Sequence, residues 1–448
     1  MVEYESYKSS FYDWLGKIPS HWEEKFLEQT ASEKCDKNIG NTVTQVLSLS
    51  YGEIKKKGDL NKGLIARDLS TYQIIAPGNI VMRLTDLQND HKSLRTGLVK
   101  DDGIITAAYL CLAPRISSEY LHYLLHAYDV KKVFYGMGGG VRQSIGFKDI
   151  RHMYIPVPPR AEQDQIVRFL DWKVSEINKL IGIRRQEIQE LEELKRSRIG
   201  SIIMGQFQTQ KKKSDISWVE AIPLSWKEKP LIQYAYERCI KNDGMLEDNL
   251  LSLSYGKVID KDINTTDGLL PASFESYQIV EPGNIILRLT DLQNDHKSLR
   301  TGLVTQRGII TSAYTCLETR GDILPEFLQL ELHVADLCKV FYGMGGGVRQ
   351  SIGFKDIKRM LIAIPPLSEQ HRILDLIHGI DAPTDKQKEQ YLNIINELEE
   401  LKKVIISDVV TGKIDVRNIT VPKYKHVDDI VDDDLENNEE TETDREEA

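Results

Sequence analysis

Two stretches of this chain gather residue types that suit contacts with nucleic acid. The first holds basic and amide side chains in a segment of mixed charge, and it occurs twice: Arg83, Asn89, His91, Lys92 and Arg95, then Arg288, Asn294, His296, Lys297 and Arg300. Arg and Lys suit guanine edges and phosphates, whereas Asn and Gln suit adenine edges. Plain solvated surface has a similar composition. The residue types therefore permit nucleic-acid contacts without requiring them.

The second stretch is a glycine run followed by polar side chains. It also occurs twice, as Gly138, Gly139, Gly140, Arg142 and Gln143 and as Gly345, Gly346, Gly347, Arg349 and Gln350. Glycine backbone can approach a phosphate closely and present its N–H groups. Val141 stands where a dinucleotide-binding G-x-G-x-x-G motif needs its third glycine, so that motif is weak here. A tight turn between a helix and a strand is an equally good interpretation.

Recognisable catalytic motifs are missing from the sequence. It contains no G-x-x-x-x-G-K-[ST] loop, no H-E-x-x-H, no G-x-S-x-G and no Asn-Pro-Pro-Tyr motif of adenine methyltransferases. His122 and His126 share a helical face, but without a matching acidic cluster they favour packing or surface roles over metal binding. We expect no catalytic, cofactor-binding or metal-binding residues on this chain.

Both stretches belong to an internal repeat. RLTDLQNDHKSLRTGLV occurs at Arg83–Val99 and unchanged at Arg288–Val304, an offset of 205, and KVFYGMGGGVRQSIGFKDI occurs at Lys132–Ile150 and at Lys339–Ile357, an offset of 207. Solenoid and propeller repeats span roughly 20 to 50 residues, so each of these longer copies can hold its own core. The copies diverge at 53–71 against 257–276, where the second copy has one extra residue. One unit used twice suggests a pseudo-two-fold molecule.

Each copy combines a mixed segment with a long helix. Runs such as QIIAPGNIVMRL and GIITAAYLCL predict strands, and residues 120–133 predict a helix. Beyond each Pro-Pro pair, apolar residues recur at helical spacing and predict helices at 161–204 and, because Pro383 should break the second, at 385–410. Two such helices most simply pack as an antiparallel pair, and packing of each on its own domain is the alternative.

The predicted fold is therefore α+β, with two globular α/β domains separated and joined by two long helices that form an antiparallel coiled coil. The predicted segments are a domain at 1–157, a helix at 158–210, a domain at 211–364, a helix at 365–415 and an acidic tail at 416–448.

The tail accounts for the net negative charge. Residues 428–448 hold twelve acidic residues and one Arg, which leaves 57 basic and 56 acidic residues in 1–427. A segment this polar cannot bury enough surface to fold, so we expect disorder from about residue 425. A solvated tail is the simplest interpretation, and a regulatory or nucleic-acid-mimicking tail is the alternative.

Composition fits an ordinary folded protein. The 448 residues are 41% hydrophobic and 28% charged, which excludes collagen-like and wholly disordered classes. Five cysteines without a C-x-x-C pair give no zinc signature or disulfide framework and point to a reducing compartment. With no signal sequence or membrane-spanning run in view, we expect a soluble cytoplasmic protein.

The repeated units resemble the specificity subunits of Type I restriction-modification systems. The likeness is carried by GGGVRQSIGFKDIRHMYIPVPPRAEQDQIVRFL and GGGVRQSIGFKDIKRMLIAIPPLSEQHRILDLI, and it covers about residues 14–415. It implies a non-catalytic DNA reader, in which each globular unit is a target recognition domain for one half of an interrupted site. It also implies helices that set the gap and dock two methyltransferase chains, joined by restriction and translocase chains. S-adenosylmethionine, ATP and Mg are then expected on those partners.

Near-identical recognition domains predict a near-palindromic target. Domains that face opposite strands recognise the same half-site inverted, as symmetric dimers do. Two other functions stay open at this point. One is a scaffold or anti-restriction decoy whose acidic tail imitates DNA, and the other is an enzyme that binds a nucleotide through the glycine run.

Overall fold

The computed structural model describes residues 2–12, 14–50, 52–57, 68–85, 87, 94–137, 145–254, 256–261, 273–292, 299–344 and 352–428. The chain divides into two compact units, Met1–Glu187 with Gln390–Ala448, and Ile188–Glu389. Each unit holds one mixed segment and part of each long helix. Among the described residues, no helix is long and apolar enough to cross a membrane.

The first unit is built from short strands around a central sheet. Its strands are β1 (Tyr7–Ser9), β2 (Lys17–Pro19), β3 (Glu23–Phe26), β4 (Ala31–Lys34), β5 (Leu47–Ser50), β6 (Glu53–Lys56), β7 (Gln73–Ile75), β8 (Ile80–Met82), β9 (Thr96–Leu98), β10 (Gly103–Ile105), β11 (Leu110–Pro114) and β12 (Tyr154–Val157). Its helices are α1 (Leu27–Thr30), α2 (Ser118–Val130) and α3 (Phe147–Ile150), with 3-10 turns at Leu69–Thr71 and Val133–Gly136; the long helix α4 (Arg160–Ile203) follows. The main sheet has the order β4-β11-β8-β9-β6-β5, beside the pairs β1-β2, β10-β7 and β12-β3.

The second unit repeats this order. Its strands are β13 (Lys211–Lys213), β14 (Ala221–Pro223), β15 (Lys227–Pro230), β16 (Ala235–Glu237), β17 (Leu251–Ser254), β18 (Lys257–Asp260), β19 (Gln278–Val280), β20 (Ile285–Leu287), β21 (Thr301–Leu303), β22 (Gly308–Ile310), β23 (Thr315–Thr319) and β24 (Leu361–Ile364). Its helices are α5 (Pro325–Leu337) and α6 (Phe354–Ile357), with 3-10 turns at Leu231–Gln233 and Val340–Gly343; the long helix α7 (Leu367–Val410) follows. Its main sheet has the order β16-β23-β20-β21.

Equivalent apolar residues build equivalent cores in the two units. The positions that pack together are Leu47, Leu49, Ile75, Val81, Val99, Ile105 and Cys111 in the first unit and Leu251, Leu253, Val280, Ile286, Val304, Ile310 and Cys316 in the second. The central strands β8 and β20 are buried at every position, which explains their continuous apolar sequence. The mixed α/β character and the strands predicted from the apolar runs are therefore confirmed.

The two long helices are each 44 residues long. The bounds of α4 agree with the predicted 161–204, but the predicted break at Pro383 is wrong, because α7 continues through it. The proline removes one hydrogen bond from a long helix that buried residues anchor on both sides of it, such as Ile377 before it and Ile395 after it, and packing supplies most helical stability. Next to the gap, the Thr384 hydroxyl donates to the Ile380 carbonyl at 2.8 Å.

Polar contacts between the long helices run in antiparallel order within each unit. In the first unit, Lys402 donates to Asn178 at 3.3 Å and Arg185 lies 3.9 Å from Glu399. In the second unit, Lys195 lies 3.0 Å from Asp381 and 2.7 Å from Asp385, and Lys388 pairs with Glu192. In both units, residues further along α4 contact residues that come earlier in α7.

A glycine with positive φ follows each long helix. Gly205 after α4 has φ of 63° and Gly412 after α7 has φ of 76°, a conformation that favours glycine. A Cβ on Gly205 would lie 2.4 Å from Pro223, and one on Gly412 would lie 2.3 Å from Pro19. Each helix therefore ends by close packing on the first hairpin of a unit, where a larger residue would clash.

Residues 411–428, which we call the strap, lie on the first unit. The Gln165 side chain donates to the Val416 carbonyl at 3.0 Å, and the Ser175 hydroxyl donates to the Lys425 carbonyl at 3.1 Å. The strap therefore follows α4, and the predicted disorder from about residue 425 does not hold for 425–428. The acidic residues 429–448 lie outside the described residues.

Candidate nucleic-acid interface

The two repeated blocks meet at one end of the hairpin made by β8 and β9. Arg83 follows β8 and Arg95 precedes β9, and the Arg83 N–H donates to the Arg95 carbonyl at 2.9 Å. The second block returns to this point, because the Ile145 N–H donates to the Leu84 carbonyl at 3.0 Å. The structure thus brings together the ends of two stretches that the sequence only suggested separately.

Arg95 connects these ends from inside the first unit. Its side chain is 0% exposed, and its Nε donates to the Tyr135 hydroxyl at 2.9 Å. Its Nη1 donates to the carbonyls of Thr85 at 2.8 Å and Arg83 at 3.2 Å. Its backbone N–H donates to the Asp129 carboxylate at 2.7 Å. A single guanidinium therefore binds the start of one repeated block and the 3-10 turn at the start of the other.

The second unit reproduces this cluster. Arg300, also 0% exposed, donates to the Tyr342 hydroxyl at 2.9 Å and to the carbonyls of Thr290 at 2.8 Å and Arg288 at 3.1 Å. Its backbone N–H donates to the Asp336 carboxylate at 2.8 Å. We refer to the Arg, Tyr and Asp of each unit as the arginine cluster: Arg95, Tyr135 and Asp129, and Arg300, Tyr342 and Asp336.

The turn after α2 sets the position of Tyr135. Lys132 adopts the left-handed conformation with φ of 58°, which redirects the chain into the 3-10 turn. Phe134 is fully buried and anchors that turn in the core. Lys132 Nζ lies 4.5 Å from the centroid of the Tyr135 ring, and the Arg95 guanidinium lies 5.3 Å from it. Two cations therefore hold the tyrosine ring.

The predicted site residues divide into three groups. Arg83 is 6% exposed and Arg288 is half-buried, both directly after a central strand. Arg95 and Arg300 are fully buried and donate to protein groups. The others lie outside the described residues, and their nucleic-acid contacts stay predictions: Asn89, His91, Lys92, Gly138, Gly139, Gly140, Arg142, Gln143, Asn294, His296, Lys297, Gly345, Gly346, Gly347, Arg349 and Gln350.

Sequence reasoning missed the tyrosine and the aspartate of the arginine cluster. Tyr135 lies inside an unchanged repeated block, so its identity in both copies gave no separate signal. Asp129 lies outside those blocks and still recurs as Asp336, although the preceding Tyr128 is replaced by Ala335. That isolated match between differing neighbours was the available signal.

The histidines near the arginine clusters contact other protein side chains. Thr301 follows Arg300 and its hydroxyl lies 3.2 Å from Nδ1 of His333. Burial lowers the pKa of His333, and the charge of Arg196 lowers it further. In the first unit the rings of His122 and His126 lie 6.4 Å apart. Within the described ranges, no group of three or more His, Cys, Asp or Glu is arranged to hold a metal ion.

Comparison with known proteins shows that two regions of this chain match one family model, and that other proteins are similar to it over most of its length. A model of the Type I restriction modification DNA specificity domain matches residues 102–193 and 306–400. A protein of Methanocaldococcus jannaschii, named as the MjaX specificity subunit of a type I restriction enzyme, is 25% identical over 427 residues, which cover 90% of this chain and 96% of that protein.

A solved structure of a type I R-M system, described for its complex assembly and conformational transition, has the same fold. The TM-score is 0.61 at 15% identity, over 89% of this chain and 99% of the solved one. The matched regions run from the core strands of each unit into the long helices, and the repeated blocks at 132–150 and 339–357 lie within them. The chain therefore carries two regions that match the Type I restriction modification DNA specificity domain, and it is similar over most of its length to a type I specificity subunit.

Proposed function

We propose that this chain is a non-catalytic DNA reader that recognises a bipartite duplex target for a Type I restriction-modification complex. The observation that carries the proposal is the pair of arginine clusters, each of which joins the ends of two repeated blocks rich in Arg, Lys, Asn, Gln and Gly. These residue types suit base edges and phosphates. Joined ends allow two separate stretches of the chain to act on one ligand.

In this proposal the DNA contacts come from the residues between those ends. Arg142 and Gln143, with Arg349 and Gln350, serve as base readers, and Asn89 and Lys92, with Asn294 and Lys297, add base and phosphate contacts. The glycines at 138–140 and 345–347 let the backbone approach a phosphate. The buried Arg95 and Arg300 stand outside this set of contacts.

The target is proposed to be an interrupted and nearly palindromic sequence. Identical blocks in two recognition domains favour the same half-site twice. The antiparallel order of the helix contacts within each unit supports an antiparallel coiled coil as the spacer, and readers joined that way meet opposite strands of the duplex. The differing segments 53–71 and 257–276 are where one half-site would depart from the other.

The partners are proposed to be two methyltransferase chains, joined by restriction and translocase chains. S-adenosylmethionine, ATP and Mg would then act on those partners, and this chain would supply the choice of sequence. The two matches to the specificity domain and the similarity to a type I specificity subunit support this division of labour.

The test is to sequence modified adenines in DNA methylated by the chain with its cognate methyltransferase. We expect an interrupted inverted repeat. Halves of unrelated sequence would refute identical readout, and a chain that DNA displaces from its methyltransferase would instead support the decoy.

A paired substitution tests the loops directly. Arg142→Ala with Arg349→Ala should weaken specific duplex binding at least tenfold while methyltransferase docking stays intact. Lys25→Ala with Lys229→Ala removes the same charge from strands β3 and β15 and is the matched control. Unchanged affinity in the first pair would remove the glycine-rich blocks from the interface.

A further inference from the structure

We propose that Arg95 and Arg300 are positioning residues that determine sequence specificity without touching DNA. Each holds the two repeated blocks of its unit in a fixed relative position through the arginine cluster. This inference rests on the proposed function and assigns a different role to two residues whose type alone suggested a DNA contact.

The geometry of the cluster uses the shape of the guanidinium group. Nε and Nη1 of Arg95 donate to the Tyr135 hydroxyl at 2.9 Å and the Thr85 carbonyl at 2.8 Å. Tyr135 is in the 3-10 turn at the start of one block, and Thr85 is near the start of the other. A lysine carries the same charge on a single nitrogen and cannot present donors in a rigid planar fork. The link between the blocks therefore depends on arginine in particular.

Burial makes the cluster sensitive to the loss of any member. A charge taken fully out of water is stable only where hydrogen bonds and opposite charge replace its hydration. The Arg95 guanidinium donates to the two carbonyls and the tyrosine hydroxyl and lies against the tyrosine ring, and the Asp129 carboxylate fixes the Arg95 backbone through its N–H. A shift of either block would break these bonds, so the cluster opposes movement of one block relative to the other.

Fixed spacing matters more for base reading than for phosphate binding. Hydrogen bonds to base edges require donors and acceptors in defined positions, whereas phosphate attraction is electrostatic and tolerates displacement. A side chain that only sets the spacing should therefore change the ratio of specific to non-specific binding. A side chain that only supports the fold should lower both in proportion to the fraction of active protein.

The experiment uses the full chain in complex with its methyltransferase. The probes are a duplex selected by the wild-type complex from a random library, and two duplexes in which one or the other half-site is scrambled. The variants are Tyr135→Phe, which removes the acceptor of the Arg95 Nε, and Arg95→Lys. Tyr342→Phe is the counterpart in the second unit. Tyr128→Phe is the control, because it removes another hydroxyl of the first unit, which donates to the Tyr154 carbonyl at 2.9 Å.

We expect Tyr135→Phe to lower discrimination at one half-site about tenfold and to leave discrimination at the other half-site unaffected. Binding to the duplex in which the affected half-site is scrambled, and the salt dependence of that binding, should stay unchanged. Tyr342→Phe should do the same at the other half-site, and Tyr128→Phe should change neither ratio. Arg95→Lys should have the larger effect.

The outcomes separate this inference from the proposed function. A folded Tyr135→Phe chain that discriminates as well as wild type would overturn the inference, and this result decides even if Arg95→Lys does not fold. A proportional loss of specific and non-specific binding would also overturn it. A wild-type complex that selects no duplex from the library would refute the proposed function instead.

Discussion

Helix α2 of the first unit and helix α5 of the second are equivalent, yet they bury different groups. Leu124 on α2 is fully buried, and its counterpart on α5 is Glu331, which is 1% exposed. Glu331 accepts the Ala363 N–H at 2.5 Å. The counterpart of Ala363 is Pro156, which has no N–H to donate. The buried acceptor and its donor thus occur together in one unit and are both missing from the other.

A second exchange occurs one turn earlier on the same helices. The Tyr120 hydroxyl donates to the carbonyls of Pro156 at 2.8 Å and Val410 at 3.2 Å, and its counterpart is Phe327. The first unit therefore links this helix to β12 through the Tyr120 hydroxyl, and the second links the equivalent helix to β24 through the Glu331 carboxyl. By contrast, every member of the arginine cluster is kept, including Asp129 outside the unchanged blocks. Buried positions of this helix have changed between the units, while the residues that connect the blocks have not.

The strap offers the largest test of the difference between the units, because it lies on the first unit. A chain ending at Thr411 loses the burial of Ile414 and Val416, which are 8% and 0% exposed. Two such side chains contribute about 3 to 6 kcal/mol, so the first unit should lose roughly that much stability. Hydrogen exchange should become faster in residues 1–157 and stay unchanged in 211–364.

A chain ending at Asp428 keeps the strap and removes only the acidic residues, so it is the matched control. If both shortened chains exchange at the wild-type rate, the strap does not stabilise the first unit.

The buried carboxyl should make the second unit sensitive to pH. Burial raises the pKa of Glu331 to about 8, above its ordinary value of 4.5. Since the folded state favours the protonated acid, its stability contribution is complete below about pH 4.5 and is lost as pH rises through about 8. Glu331→Gln keeps an acceptor for the Ala363 N–H and does not ionise. We expect it to raise the free energy of unfolding by about 2 to 4 kcal/mol at pH 9 and little at pH 5.

Urea unfolding at both pH values, followed in residues 211–364, measures this effect. Glu237→Gln at an exposed position of β16 controls for the loss of one charge. A gain from Glu331→Gln that is equal at pH 5 and pH 9 would contradict ionisation of the buried acid.

Pro383 provides the smallest of these tests, and it compares the two long helices. The position equivalent to Pro383 on α4 is Glu176, and both helices are continuous there. Pro383→Glu restores a backbone donor and should raise the free energy of unfolding by about 1 to 2 kcal/mol, seen as a higher Tm. Thr384→Ala should destabilise the wild-type helix more than the Pro383→Glu helix if the Thr384 hydroxyl compensates for the proline. Equal effects would show that it does not.

Sequence patterns were sufficient to predict the strands and helices but not the contacts between them. The strands around β8 and β20 and the bounds of α4 follow from apolar runs and helical spacing, which are local properties. Arginine type suggested that Arg95 meets nucleic acid, and only the packing of Asp129, Thr85 and Tyr135 around it reveals a buried cation. Helical propensity also overstated the effect of Pro383, because it ignores the buried residues before and after the proline that anchor α7.

The strap was missed for a similar reason. Acidic composition marks residues 428–448, but the hydrogen bonds from Gln165 and Ser175 are made to strap carbonyls, which any sequence provides. The sequence of the strap therefore contained no pattern that predicted its position along α4.

The first unit is built from two separate segments of the chain, Met1–Glu187 and Gln390–Ala448. This has a consequence for a polypeptide that carries only one copy of the repeat. The part of α4 that belongs to this unit contacts residues of α7 that come from the far end of the chain. A polypeptide with only one copy of the repeat would lack that second segment. Two half-length polypeptides would have to exchange helical segments to cover the same surfaces, so a single-copy version should be stable only as a homodimer.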